Sequence, residues 1–394
     1  MDNRVQLKRN INKNYIYTLL QNTDFTRGIW MIYLAQKGMS LTQLGFLETI
    51  FHITSFTMEV PTGAIADIFG RRASRILGRI ASLISVIILL MANSFVWFAI
   101  SFVFTALSYN LESGAGDALI YDSLKEIGEE YEYMKVSGRK EVFYQTAGAI
   151  SFLVGGYLAS KNYDIAFILT LIIGTVAIVV SLTFKEPSIG RMEAGHPEEK
   201  IFIKVLKESI GVVKCNPKII MFALITQIIM ALCTCVFYYF QNYLKADGYN
   251  ETLIGVIYAL SALIPALIAP NIHRIEKRIK EKGMLILMPT MTVFCLWGVA
   301  FLKFHYIFFI LLMISEGIIY ISVSDYINKM IPSETRATVL SFESMVFSFF
   351  MIILFPVIGI VGDLYSLKIA FILLGILSTA LVIVNSVLLI RKTI

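Results

Sequence analysis

Apolar stretches of about 20 residues, the length a bilayer core demands, follow one another along the whole chain with short polar joints between them. They fall at approximately 14–36, 43–68, 74–94, 96–121, 139–160, 164–184, 217–244, 251–271, 283–302, 304–327, 338–362 and 367–390. A lone segment in lipid must satisfy its own backbone hydrogen bonds, so each stretch is predicted to be an α-helix. The pattern gives an all-α integral membrane protein with twelve transmembrane helices. Pro61, Pro265, Pro270, Pro289 and Pro356 fall in or near spans, where kinks are expected.

One polar interval, 185–216, is long enough to divide the chain, and it contains Pro187, Gly190, Gly195 and Pro197. It separates six spans in residues 1–184 from six in residues 217–394. Within it, residues 200–214 set Ile, Val and Leu against Lys and Glu at helical spacing. That predicts an amphipathic helix on the cytoplasmic face of the membrane; a plain solvated tether fits equally well.

The two halves echo each other. Ile165-Ala166-Phe167-Ile168-Leu169 recurs as Ile369-Ala370-Phe371-Ile372-Leu373, an offset of 204 that also carries Glu112 onto Glu316. Tyr33, Leu34, Gly38 and Gly45 recur as Tyr243, Leu244, Gly248 and Gly255 at an offset of 210. Common order and near-constant offset point to duplication. Two six-helix bundles in one orientation fit a transporter whose halves are related by an axis along the membrane normal.

Composition agrees. The 394 residues are 57% hydrophobic and 16% charged, where a soluble domain carries roughly 25% charged residues. Placement of the charges says more than the net +6. With the N-terminus inside, most Lys and Arg cluster in cytoplasmic segments, among them Arg71, Arg72 and Arg75, while the opposite side holds only Lys37, Lys161, Lys245, Lys303 and Lys368. Both termini are therefore expected in the cytoplasm, with the protein in the cell membrane. The basic N-terminus precedes a run that is too long for a cleaved leader and contains Asp24 and Arg27, so it reads as the first span. Cys215, Cys233, Cys235 and Cys295 lack metal-ligand spacing and read as small hydrophobes.

The most specific string is Gly63-Ala64-Ile65-Ala66-Asp67-Ile68-Phe69-Gly70-Arg71-Arg72, after the second span. Gly70 permits a tight turn, and Asp67 at a helix end can accept hydrogen bonds from Arg71 or from a neighbouring helix N-terminus. The string resembles the loop signature G-x-L-a-D-x-x-G-R-[RK] of the major facilitator superfamily, with Ile65 for the leucine. The resemblance implies a fold of two six-helix bundles and a charged latch that breaks as the halves rock. The matching loop of the second half, His273 to Lys282, does not keep the pattern. At Asn110-Leu111-Glu112-Ser113-Gly114-Ala115-Gly116 the glycines of the family's fourth-span pattern R-x-x-x-G-x-G match, but Asn110 stands where the arginine linked to proton coupling would be. The segments Gly114–Lys125 and Ile331–Ser341 resemble small transporters of Gram-positive bacteria, many of them drug exporters.

Charges at membrane depth cost at least ~2–3 kcal/mol when they face lipid near the centre, so each should face the interior or a partner. Asp24, Arg27, Glu59, Glu112 and Glu316 are the candidate proton-coupling and cavity groups. Asp24 and Arg27, three apart, share a helical face and are placed to pair. Glu48, His52 and Glu59 share one stripe of the second span. Asn22, Asn110, Gln227, Tyr238 and Gln241 are candidate pocket residues, with packing and interfacial anchoring as the commoner roles for such side chains.

No G-x-x-x-x-G-K-[ST] phosphate loop, H-E-x-x-H string or Ser-His-Asp set occurs. ATP-driven pumping and enzymatic chemistry are not expected, and neither is a cofactor, a metal or nucleic acid. The chain reads as a monomeric secondary transporter working by alternating access, with small-molecule substrate, protons and the lipid bilayer as partners. Proton-coupled efflux of lipophilic compounds leads; transport of a polar metabolite is the alternative.

Overall fold

The computed structural model describes residues 3–188, 217–330 and 336–391, so the amphipathic helix expected at 200–214 and the start of the Ile331–Ser341 segment lie outside them. Among the described residues thirteen α-helices make up the twelve spans, because the first span is built from two. They are α1 (Asn3–Asn22), α2 (Trp30–Gln36), α3 (Leu41–Phe69), α4 (Arg71–Met91), α5 (Phe95–Glu126), α6 (Tyr133–Ala159) and α7 (Tyr163–Leu182). After the interval follow α8 (Pro217–Ala246), α9 (Glu251–Ile268), α10 (Ile272–Phe301), α11 (His305–Met330), α12 (Arg336–Leu364) and α13 (Leu367–Arg391). Each predicted span has its helix. The helix α10 begins before its span and is interrupted at Lys280, whose φ is 60°.

Among the described residues the chain divides into two compact units. One takes residues 3–30, 50–188 and 250–259; the other takes 31–49, 217–249, 260–330 and 336–391. In the first unit α4 packs on α5 and α7, and α1 on α6 and α7. In the second, α10 packs on α11 and α13, and α8 on α12 and α13. The second arrangement repeats the first with only the span numbers advanced by six.

The repeat reaches single residues. Gly38 and Gly248 both adopt left-handed backbone, with φ of 89° and 88°. Each follows a helix whose last turns close in the same way: Met39 N–H donates to Leu34 C=O at 3.0 Å, and Tyr249 N–H to Leu244 C=O at 3.0 Å. Bonds from beyond the glycine satisfy helix-end carbonyls, and the positive φ explains why glycine recurs there. In the duplicated pentapeptide, Ala166, Phe167, Ala370 and Phe371 are all fully buried, while Ile165 and Ile369 are both exposed. Gly45 recurs as Gly255 for a packing reason. A Cβ on Gly45 would press on the Phe355 carbonyl in the second unit, and a Cβ on Gly255 on the Phe152 carbonyl in the first.

The halves part company at residues 23–29. Where α8 runs on through Cys233–Tyr239, the first span breaks between α1 and α2. The break is stitched to α6 and α7. Ser151 accepts from Asp24 N–H at 2.9 Å and faces the Asn22 carbonyl at 3.1 Å. Thr170 accepts from Phe25 N–H at 3.0 Å. Gly155 lies directly under the Phe25 carbonyl, where any Cβ would overlap the oxygen. The apolar neighbours Phe25, Ile29, Ala159 and Ala166 close around this seam.

Gly155→Val should therefore lose roughly 1–3 kcal/mol by overpacking, seen as a lower midpoint of thermal unfolding in detergent. Gly114→Ala, with open space around the added carbon, should leave the midpoint unchanged. Equal midpoints for wild type and Gly155→Val would mean that the break does not press on α6.

Candidate functional site

The Asp67–Arg72 motif folds as a charged knot in the first unit. Gly70 turns the chain between α3 and α4 with φ 98°. Asp67 Oδ1 accepts from Arg71 Nη1 at 2.5 Å, one helical turn apart, and Arg71 Nε lies 3.9 Å from Asp122 on α5. The sequence reading missed a third acid. Glu186, just past α7, receives the free amides of α4, from Arg71 N–H at 2.6 Å and Arg72 N–H at 2.8 Å. An anion at a helix N-terminus answers unsatisfied donors and the helix dipole together. A Cβ on Gly70 would meet that carboxylate at 2.7 Å, so the glycine is needed for room as well as for its φ. At the other end of this contact, Arg72 and Lys13 donate to the Leu182 and Thr183 carbonyls where α7 ends. Gly63 is exposed and nothing crowds it.

Deeper in the same unit Glu112 is held from both sides. Arg75 Nε donates to Oε1 at 3.0 Å, and Tyr17 O–H to Oε2 at 2.9 Å. The Arg75 guanidinium lies over the Tyr17 ring at 4.1 Å and the Phe184 ring at 4.8 Å. Arg75 was placed with the basic loop by its sequence neighbours; the structure corrects this, because only 2% of its side chain is exposed. One turn into α4 the chain has already left the loop. Arg79, a turn further on, is buried too and donates to Ser108 at 3.2 Å.

The expectation that Asp24 and Arg27 pair across a helical face loses its premise, because both sit in the break. Asp24 Oδ1 accepts from Thr26 N–H at 2.9 Å and from Thr26 O–H at 2.6 Å, which closes a local turn. Arg27 leans against α6 instead. Its guanidinium lies 5.9 Å from the Tyr144 ring centre and 5.6 Å from that of Phe152.

The remaining candidates are spread over both units. Glu59 is exposed on α3, in a stretch where Thr62 O–H turns back to the Met58 carbonyl at 2.7 Å. Asn22 donates to the Thr18 carbonyl at 2.8 Å. Asn110 clamps α5 to α3: it donates to the Ser55 carbonyl at 2.6 Å and accepts from Ser55 O–H at 2.7 Å. In the second unit Gln227 bonds Glu343, Tyr238 packs against Phe355 with ring centres 5.7 Å apart, and Gln241 is fully buried. Glu316 sits midway along α11, within electrostatic reach of Cys233. Among the described residues it has neither an ion-pair nor a hydrogen-bond partner. Glu48, buried near Cys235 and Tyr239, is in the same position. No group of three or more His, Cys, Asp or Glu able to hold a metal occurs among the described residues.

The family model of the Major Facilitator Superfamily matches residues 18–345. The chain belongs to this superfamily. The MFS-type transporter YxaM of Bacillus subtilis (strain 168) is 23% identical over 353 residues, which cover 88% of each chain. A folate-like transporter of Dictyostelium discoideum is 24% identical over 224 residues, 54% of this chain and 37% of that one. Among solved structures, the nucleoside transporter NupG superposes with a TM-score of 0.79 at 13% identity, over the full length of both chains. A D-xylose–proton symporter superposes with a TM-score of 0.73 at 12% identity, over 96% of this chain and 97% of that one. These likenesses fix the fold: twelve transmembrane helices of a membrane transporter, not an enzyme.

As a superfamily member the protein departs from the common pattern in one respect. The fourth span carries Asn110 where the resemblance puts an arginine, and Asn110 is engaged with Ser55. Its acid on that span, Glu112, draws its cation from the third span. Arg75 and Glu112 form one buried unit, in which removing a single partner strands the other. Glu112→Leu should therefore cost roughly 3–5 kcal/mol of stability, and Arg75→Leu/Glu112→Leu should recover most of it. A thermal-unfolding double-mutant cycle on the detergent-purified protein reads this; strictly additive losses would show that the two residues do not act together.

Proposed function

We propose that the protein is a proton-coupled secondary transporter of the cell membrane that exports lipophilic small molecules by alternating access. In this reading it is a monomer with both termini in the cytoplasm, and residues 1–184 and 217–394 are the two bundles that rock. The proposed cytoplasmic latch is the knot of Asp67, Arg71 and Asp122, locked onto α4 by Glu186.

The observation that carries the coupling is the contrast between two repeat-related acids. Glu112 has its charge balanced by Arg75, and Glu316 has no fixed partner among the described residues. A carboxyl group without a dedicated counter-ion exchanges its proton as its surroundings alternate between dry and wet, so Glu316 is the proposed coupling residue. The scarcity of convergent charge in the second half favours a lipophilic cargo. The second reading is transport of a polar metabolite, and the names of the relatives favour it, since nucleoside, D-xylose and folate-like are all polar classes.

Cells producing the protein should hold less of a lipophilic dye than cells without it, and a protonophore should remove the difference. Glu316→Gln should lower gradient-driven efflux at least tenfold while dye binding persists. Full efflux by Glu316→Gln would discard Glu316 as the coupling group. Dye levels indifferent to the protein, with uptake of a labelled nucleoside or sugar instead, would replace the first reading with the second.

A further inference from the structure

We infer that His305 and Asp247 form a proton-binding site at one corner of the second unit, and that the bound proton pins the turn between α8 and α9 to the start of α11. The site is separate from Glu316 and stands whether or not that acid couples transport.

His305 opens α11 and is 6% exposed. Its two ring nitrogens face two oxygen acceptors. One nitrogen bonds the carbonyl of Leu302, the residue that caps the end of α10. The other, Nε2, is buried, has no hydrogen-bond partner among the described residues, and lies 3.4 Å from Asp247 Oδ2. Asp247 stands just past the end of α8, beside Gly248. A neutral imidazole carries a single N–H, so in either tautomer one nitrogen sets its lone pair against an oxygen lone pair. An imidazolium has two N–H donors and answers both acceptors at once. The contact with Asp247 then becomes a charge-assisted bond, which runs to ~2.7–2.9 Å. One proton is the missing piece of this arrangement, and the Asp247 side chain, 43% exposed, gives it a way in.

The rings of Phe240, Tyr243, Tyr249 and Tyr306 surround the imidazole, with centres 5.8, 5.2, 5.8 and 6.2 Å from its own. They keep water from the ring and so leave the attraction of Asp247 less screened. The groups facing His305 that can carry charge are thus Asp247 from the turn, Tyr243 from α8, Tyr249 from the turn and Tyr306 from α11. Phenols ordinarily titrate near pH ~10, which leaves Asp247 as the charge the ring meets. Histidine is the side chain whose ordinary range lies at mildly acid to neutral pH.

The turn itself does not require the pair. The first half makes the same left-handed turn at Gly38, closed by the same bond from Met39 to Leu34. At the repeat offset of 210 Lys37 stands for Asp247, and Phe95, which opens α5, stands for His305. Packing therefore does not account for an acid set against an imidazole. In the orientation proposed above this corner meets the external medium, whose acidity the site reads; proton binding itself does not depend on that orientation.

The test is NMR of the histidine-labelled, full-length protein in detergent, with the His305 signal assigned as the one lost in His305→Gln. Wild type should form the His305 imidazolium between about pH 7.5 and about pH 5.5. In Asp247→Asn an amide N–H supplies the donor that a neutral ring lacks, so the imidazolium fraction at about pH 5.5 should fall about threefold or more. Hydrogen exchange over residues 246–250, corrected for intrinsic rates, should slow about fivefold or more on acidification in wild type, and in neither variant. Asp247 is open to solvent, so Asp247→Asn keeps the comparison available if His305→Gln misfolds and its signal is instead assigned by His52→Gln and His273→Gln. A His305 ring neutral at about pH 5.5 in wild type, an imidazolium fraction unchanged by Asp247→Asn, or exchange over the turn that responds to pH alike in wild type and Asp247→Asn would each overturn the inference.

Discussion

A peptide N–H in hydrocarbon has no water to turn to, and that constraint governs the whole molecule. It makes every span a helix, and it makes any departure from helix conspicuous. At residues 23–29 the departure is compensated donor by donor. Asp24 and Phe25 give their N–H groups to Ser151 and Thr170, Thr26 gives its own to Asp24, and Gly155 clears space for the Phe25 carbonyl. Four positions, on α6, on α7 and in the break itself, are committed to keeping one short irregular stretch inside a membrane protein. A continuous helix needs none of them, as the second half demonstrates with α8.

The second organising force is the expense of charge at depth, and the first unit meets it in graded ways. At the basic end, Asp67, Arg71, Asp122 and Glu186 form a partly wet cluster built on the start of α4. Further in, Arg75 and Glu112 neutralise each other under two aromatic rings. At the break, Arg27 has ring faces beside it. The local dielectric sets what each contact is worth. The wet cluster is adjustable and the buried pair is not, because separating the pair exposes two uncompensated charges.

Much of this was legible in the chain. Span length and apolarity located all twelve crossings, since the bilayer imposes a length that soluble folds do not. The turn glycines Gly38 and Gly248 stood out because an αL position admits little else. What the sequence hid was three-dimensional in origin. Arg75 looked like part of a basic loop because its neighbours Arg71 and Arg72 are, and only the start of α4 at Arg71 shows that position 75 has already entered the bundle. Glu186 lies 114 residues from the Arg72 amide it receives, and no local pattern announces a cap delivered from so far away. The break at 23–29 was hard to see because it contains no Pro and a single glycine, Gly28, whose backbone is not left-handed; most of the stitching residues that permit it are on other helices.

Duplication offers a way to separate what the fold needs from what the chemistry needs. Where both copies keep a residue in the same role, packing accounts for it: Phe167 and Phe371 in their cores, Gly45 and Gly255 against a neighbouring carbonyl. Glu112 and Glu316 are different, because the residue is kept and its surroundings are not. Neither repeat offset from Arg75 reaches a cation, since Ile279 and Leu285 stand there, so the second copy of the acid lost, or never had, the arginine that neutralises the first. An acid retained without its structural partner is not explained by packing. The two halves are therefore chemically unequal at this position although their helices are arranged alike.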